Sequence, residues 1–281
     1  MSGGGDRARR HTRYFLDWAR SAAPVHLGAE VDMRGVEAHR AAARAAGSPV
    51  SVVSYLLYAA GRVLARHPEA NAAAVGRLFP RTVRFDRVHA KLAVDTGAGA
   101  ERRVHTAVLR DVDRLSLAEL QRLVEHHRDD HTDGSADAAR LLARLPAPVG
   151  RLAFRAAMAR TSRRPELLGT VAVSSLGHRR VDTFDAFGGT AVTLTAGRIT
   201  QRPGPHRALT AVLRLGLTFD HRVIDGAAAA DVLDELVHLL EACDAALPGG
   251  WDDPRLRLGD GPADPPDRSG GALAPVRQGL P

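Results

Sequence analysis

The stretch "LTAVLRLGLTFDH" (209–221) sets the tightest limit on what this chain can become. Leu213, Leu215, Leu217 and Phe219 recur at every second position, the period of a strand that buries one face. Directly behind it comes "RVIDGAAAAD", in which Asp225 and Gly226 open a helical run expected over 227–247. An imidazole at the end of a buried strand can be held rigidly, as a general base requires. Asp225 also fits the N-cap of the helix that follows. His221 also fits an ordinary polar residue where a strand leaves the sheet. The spacing of these residues alone leaves both readings open.

Composition narrows the field. Within 281 residues, 44% hydrophobic and 25% charged, the chain can bury a substantial globular core. No uncharged apolar run approaches the roughly 18 residues of a membrane span, and "MSGGGDRARRHTR" has no secretory apolar segment. The expectations are a cytoplasmic protein with no membrane partner. A single cysteine, Cys243, makes no internal disulfide and stands on a helical pattern with no base close in sequence. The net charge of +7 raises the question of nucleic acid. Yet only Lys91 among 39 basic residues is lysine, aromatics are 4%, and no nucleic-acid-binding motif occurs. A basic surface suits an anionic small ligand as well, so no nucleic-acid partner is expected.

Along the chain, residues 1–10 are glycine-rich and basic, and 248–281 are rich in Pro, Gly and Asp; disorder is expected in both. Between them, 11–247 reads as one domain. Helices are expected over 12–21, 36–47 and 48–69, the last with Ser48 and Pro49 at its start and Pro68 at its end. Ser116 and Glu119 form a capping box for a helix over 115–130. The segment 138–164 reads as two basic amphipathic stretches broken by prolines. Strands are expected over 25–33, 80–95, 103–109, 168–177, 190–199 and 209–221. Helices and strands mix without regular alternation, which predicts an α/β (α+β) sandwich.

Phosphate-loop, dinucleotide and nucleophile-elbow patterns are absent. "HHRDDH" (126–131) offers His127 and His131 on one helical face, and His126 with Asp130 on another. Its place at a polar helix end favours solvated side chains, and no metal site is expected.

Six collinear stretches carry a resemblance. "LGLTFDHRVIDGAAAADVLDELVHLLE" closely resembles the D-H-R-x-x-D-G signature and following helix of the 2-oxo acid dehydrogenase acyltransferases, the catalytic domain of dihydrolipoyl acyltransferases. "RRHTRYFLDWARSAAPVHLGAEVDM", "VSVVSYLLYAAGRVLARHPEANAA", "VHTAVLRDVDRLSLAELQRLV", "VAVSSLGHRRVDTF" and "TAGRI" resemble further segments of that domain, in order, from about residue 8 to 245. The resemblance implies a chloramphenicol acetyltransferase-like mixed sheet flanked by helices, assembled as a homotrimer or higher oligomer with active sites between subunits. It implies His221 as general base, Ser174 as the hydroxyl that binds the oxyanion, and Asp225 as the carboxylate that orients the site. Arg10 or Arg13 would pair with Asp225, and Arg222 and Gly226 would support the turn. No bound cofactor is implied; acyl-CoA would be a co-substrate.

The chain departs from the family in three ways. No lipoyl or subunit-binding domain precedes residue 8, the segment 138–164 reads as an inserted helical hairpin, and "DAFGG" (185–189) replaces a longer proline-containing stretch. These departures favour a stand-alone, CoA-dependent acyltransferase acting on a small-molecule hydroxyl or a carrier thiol. The alternative is transfer to lipoyl groups carried by a separate protein of a 2-oxo acid dehydrogenase complex. A non-catalytic oligomeric scaffold is a further alternative, although it would need none of His221, Asp225 and Ser174 as a set. A peptide-forming condensation domain fits less well, because Asp220 stands where its motif has a first histidine.

Overall fold

The computed structural model describes residues 10–76, 79–96, 103–129, 141–142, 144–203 and 209–243; of the segments 1–10 and 248–281 expected to be disordered, all but Arg10 lie outside them, and Arg10 opens a helix. The described chain runs α1 (Arg10–Ala19), β1 (Pro24–Asp32), α2 (Arg34–Ala45), α3 (Val52–Arg66), β2 (Ala72–Val75), β3 (Arg81–Arg84), β4 (Ala90–Thr96) and β5 (Arg103–Leu109). It continues through α4 (Leu117–Asp129), α5 (Ala147–Ala159), α6 (Arg164–Leu168), β6 (Val171–Ser175), β7 (Val192–Ala196), β8 (Thr200–Pro203), β9 (Leu209–Asp220) and α7 (Gly226–Glu241). The result is a mixed sheet flanked by helices, as the sequence leads one to expect.

The alternating strand becomes β9, the hub of a sheet ordered β1-β9-β7-β6-β4-β5. One edge of β9 pairs antiparallel with β1 from Val212 to Asp220; the other takes β8 and then β7. Only β6 runs parallel to its neighbours, β4 and β7. A parallel step needs a long crossover. The one from β6 to β7, residues 176–191, contains no helix.

The two faces of the sheet are chemically unlike. Leu213, Leu215, Leu217, Phe219, Val192, Leu194, Val171 and Val173 point to one side, where they join Tyr55, Leu56, Leu64, Val232, Leu236 and Leu240 in the main core. This burial is the main stabilising term. The other face carries buried threonines, Thr193, Thr195 and Thr218, and the irregular crossover lies across it. Gly188 N–H donates to Thr193 Oγ1 (2.9 Å) and Arg198 N–H to the Val181 carbonyl (2.8 Å). Lys91 sits on this side too. Its Nζ donates to the Gly188 carbonyl and lies 4.8 Å from the Phe15 ring centroid. Burial pushes this amine down to about 8.

Several boundaries differ from expectation for visible reasons. The third helix starts at Val52, not Ser48, because Ser51 is its N-cap: the hydroxyl accepts from Ser54 N–H at 3.3 Å. The run 80–95 divides into β3 and β4, and β3 pairs back onto β2, a short alanine-rich strand with no alternation to reveal it. Strand β7 stops at Ala196, and the next residue, Gly197, admits the crossover backbone so closely that a Cβ there would lie 2.1 Å from the Asp182 carbonyl oxygen. The capping box forms: Glu119 N–H donates to Ser116 Oγ (3.3 Å), and Ser116 N–H donates to Glu119 Oε2 (2.8 Å).

Gly61, mid-way along α3, tests the closeness of this packing. A Cβ there would lie 2.5 Å from the Val112 carbonyl oxygen and 2.9 Å from Asp113 N, both backbone. Alanine would gain about 1 kcal/mol of helix propensity, but the overlap with an immobile neighbour costs about 1–3 kcal/mol. Gly61→Ala is therefore expected to lower the urea midpoint; an unchanged or raised midpoint would show that the α3 contact yields.

Candidate active site

The chain leaves β9 through a buried carboxylate. Asp220 is 4% exposed and accepts hydrogen bonds from Ala23 N–H (3.2 Å), Arg222 N–H (3.2 Å), Arg222 Nε (2.9 Å) and Arg222 Nη2 (2.5 Å). Burial alone would raise its pKa, but these donors, Arg222 first, outweigh burial and hold it below the usual aspartate value. Arg164, itself buried, adds a second positive charge that interacts with Asp220. It is held by the carbonyls of Ala74 (3.1 Å) and Gly189 (3.3 Å) and lies over Trp18. Sequence reasoning missed Arg164, because its partners come from four separate segments.

The next residue is His221. Its N–H donates to the Ala23 carbonyl (2.9 Å), so the backbone is tied to the start of β1, while its side chain stays 46% exposed. The imidazole Nδ1 lies 3.6 Å from Asp225 Oδ1, an ion pair only when the ring is protonated, and the ring packs 5.5 Å from that of Phe219. Asp225 holds the N-cap position of α7 in an extended conformation, and its carbonyl accepts from Ala229 N–H (3.0 Å). Its side chain makes no capping hydrogen bond and is 90% exposed. The capping reading therefore holds for Asp225's backbone and not for its carboxylate.

Other expected site residues are placed differently. Arg10 donates to the Leu145 carbonyl (3.1 Å), and Asp225's ion-pair partner among the described residues is His221, not Arg10 or Arg13. Arg222 lies across the turn, hydrogen-bonded to Asp220 and Ser21. A side chain at Gly226 would meet nothing within 4 Å, so packing inside one chain does not demand glycine there. His126 and His127 stack at the end of α4, with Asp130 and His131 outside the described residues. No group of three potential metal ligands occurs among the described residues.

Ser174 lies on β6, level with Thr195 on β7 and Gly216 on β9. His221 is five residues further along β9 and two strands away, so the two are separated by about 17 Å along the sheet and about 10 Å across it. Thr195, unmarked in the sequence reading, stands beside Ser174 with a buried hydroxyl that has no hydrogen-bond partner among the described residues. Gly216 makes room for it, since a Cβ there would lie 2.3 Å from Thr195 Oγ1. Next to this row opens a cleft of about 720 Å³ lined by Ser51, Ser175, Gly177, His178, Arg40 and Arg128, among others.

The catalytic-domain model of the 2-oxoacid dehydrogenases acyltransferase family matches residues 7–141 and 148–247. The chain belongs to this family. The match resumes at 148, so α5 and α6 lie inside it. The dihydrolipoyllysine-residue acetyltransferase component of the Pseudomonas aeruginosa pyruvate dehydrogenase complex is 31% identical over 218 residues, which are 72% of this chain and 32% of that protein. The chain thus spans about a third of that relative's length. Among solved structures, the Azotobacter vinelandii dihydrolipoamide acetyltransferase superposes with a TM-score of 0.60 at 24% identity, covering 84% of this chain and 86% of that one. A chloramphenicol acetyltransferase gives 0.52 at 17%, covering 84% and 95%, and shows the shared fold. Its D-H-R-x-x-D-G residues, Asp220 to Gly226, are those of the turn just described.

Asp220→Asn should leave Arg222 and Arg164 without their counter-charge and cost about 1–3 kcal/mol at neutral pH. A carboxylate with a depressed folded-state pKa stabilises above its unfolded value, about 3.9, and that contribution is lost as pH falls through the folded value. Urea titrations of wild type and variant are thus expected to converge only in acid, below the ordinary aspartate range. A constant gap across pH would contradict this.

Proposed function

We propose that the chain moves acyl groups between coenzyme A and lipoyl groups carried on a partner protein of a 2-oxo acid dehydrogenase assembly. The observation that carries this reading is His221, its backbone tied to Ala23 at the end of β9, inside the family match. The small-molecule hydroxyl expected from the sequence has less support, because the family and the 31%-identical relative both concern lipoyl-type acyltransferases. For the same reason the scaffold alternative is set aside.

In the proposed reaction His221 takes the proton from an attacking thiol as its sulfur adds to the thioester carbonyl. The Ser174 hydroxyl donates to the oxyanion so formed. Collapse of the tetrahedral species expels the other sulfur, which recovers the proton from the imidazolium. A side chain that can take up and return one proton without large cost suits both halves. In the Azotobacter relative a serine, a histidine and an asparagine four residues beyond it were chosen for study of its mechanism. His221 and Asp225 keep that spacing, with a carboxylate in place of the amide. The anionic acyl donor has a suitable berth in the cleft beside Ser175, where Arg128 supplies positive charge.

The distance between His221 and Ser174 favours an oligomer, a homotrimer in this proposal, in which His221 of one copy works with Ser174 of the next. His221→Ala is expected to lower acetyl-CoA:dihydrolipoamide exchange by about 10²–10⁴-fold and Ser174→Ala by about 10²-fold or more. Refolding the two variants together should restore part of the activity, since some sites then hold both intact residues. Full activity in His221→Ala would sink the mechanism. Failure of complementation with both variants folded would sink the shared site.

A further inference from the structure

Helix α5 is apolar on two opposite sides. Gly150, Phe154 and Met158 face α1, where Tyr14 fills the space at Gly150 and Trp18 meets Phe154 edge-on. Val149, Leu152 and Ala156, at helical spacing i, i+3 and i+7, form the opposite stripe. They are exposed, Val149 at 49% and Leu152 at 70%. A helix apolar all round is normally enclosed, and among the described residues nothing encloses this stripe.

Charge indicates what does. Arg144, Arg151, Arg155, Arg160 and Arg163 are all exposed, and no carboxylate stands between 144 and 163. Arg151 and Arg155 flank the apolar stripe on α5 itself. The adjacent α1 exposes Arg13, Leu16 and Arg20, and its single acid, Asp17, is paired with Arg151 at 2.9 Å. Two copies meeting through this face would bring like charges together. An acidic surface that also accepts buried leucine and valine is the complement: the headgroup and upper acyl layer of an anionic bilayer, where arginines snorkel beside an inserted apolar stripe. No described helix is long and apolar enough to cross a membrane, which is compatible with binding in the interface plane.

We propose that the outward face of α5 docks on the surface of an anionic phospholipid bilayer. This revises the sequence expectation of no membrane partner and is independent of the chemistry at His221. Co-sedimentation of the full chain with phosphatidylcholine vesicles, with and without phosphatidylglycerol, tests it. Wild type should pellet only with the anionic vesicles and should be released by salt. Leu152→Glu and Arg155→Glu, both at exposed positions, should each weaken binding by about fivefold or more with thiol exchange unchanged. Leu209→Glu, at an exposed leucine on β9 (66% exposed), should bind as wild type does. No pelleting, equal pelleting with neutral vesicles, or equal loss in Leu209→Glu would overturn the proposal. So would a change of oligomeric mass in Leu152→Glu without vesicles, which would assign the stripe to a protein contact.

Discussion

A single buried carboxylate governs the end of the molecule where the imidazole sits. Ionised Asp220 would be costly among apolar neighbours, and it is tolerated because four donors, three of them on Arg222, converge on it. Those donors come from the loop before β1 and from the turn after β9. Satisfying one charge therefore fixes where these two segments meet. His221 inherits that order through its neighbour in sequence, and its side chain is left half-exposed with little to hold it except Phe219 and Asp225.

The chemical difference between the two sheet faces explains the remaining layout. The apolar face does the work of folding, with leucines and valines from β9, β7 and β6 closed off by α3 and α7. The threonine face can be covered by an irregular crossover because its hydroxyls supply hydrogen bonds that a helix would not need. Gly188 N–H is met by Thr193 in this way. Serine and histidine consequently stand at opposite ends of one rigid sheet. Ser174 is fixed by strand register and the His221 backbone by its bond to Ala23 just before β1.

Much of this was legible in the sequence, and the rest was not for identifiable reasons. The alternation at 213–219 gave β9, and Ser116 with Glu119 gave the start of α4, because both are local patterns with a local cause. The start of α3 was misassigned by three residues because Ser48 and Ser51 are equally good caps by type. Only the packing of Gln121 against Ser51 and Ser54 separates them. The β2 strand is four residues long and mostly alanine, and it exists because β3 lies beside it. The motif pointed to His221 and Ser174, but their separation depends on register across three strands. The Arg164 cluster and the unpartnered Thr195 hydroxyl are likewise products of tertiary structure.

Under the proposed function the chain would be continually exposed to the reactive acyl carbons of thioesters, and free amines are the usual unintended targets of such carbons. Of the chain's 39 Lys and Arg residues all but one are arginine, whose guanidinium stays protonated and is a poor nucleophile. The exception, Lys91, is mostly protonated at neutral pH and has its head committed to the Gly188 carbonyl and the Phe15 ring. The composition that looks like a mere preference for arginine therefore leaves the enzyme with no lysine side chain free to be acylated by its own substrate.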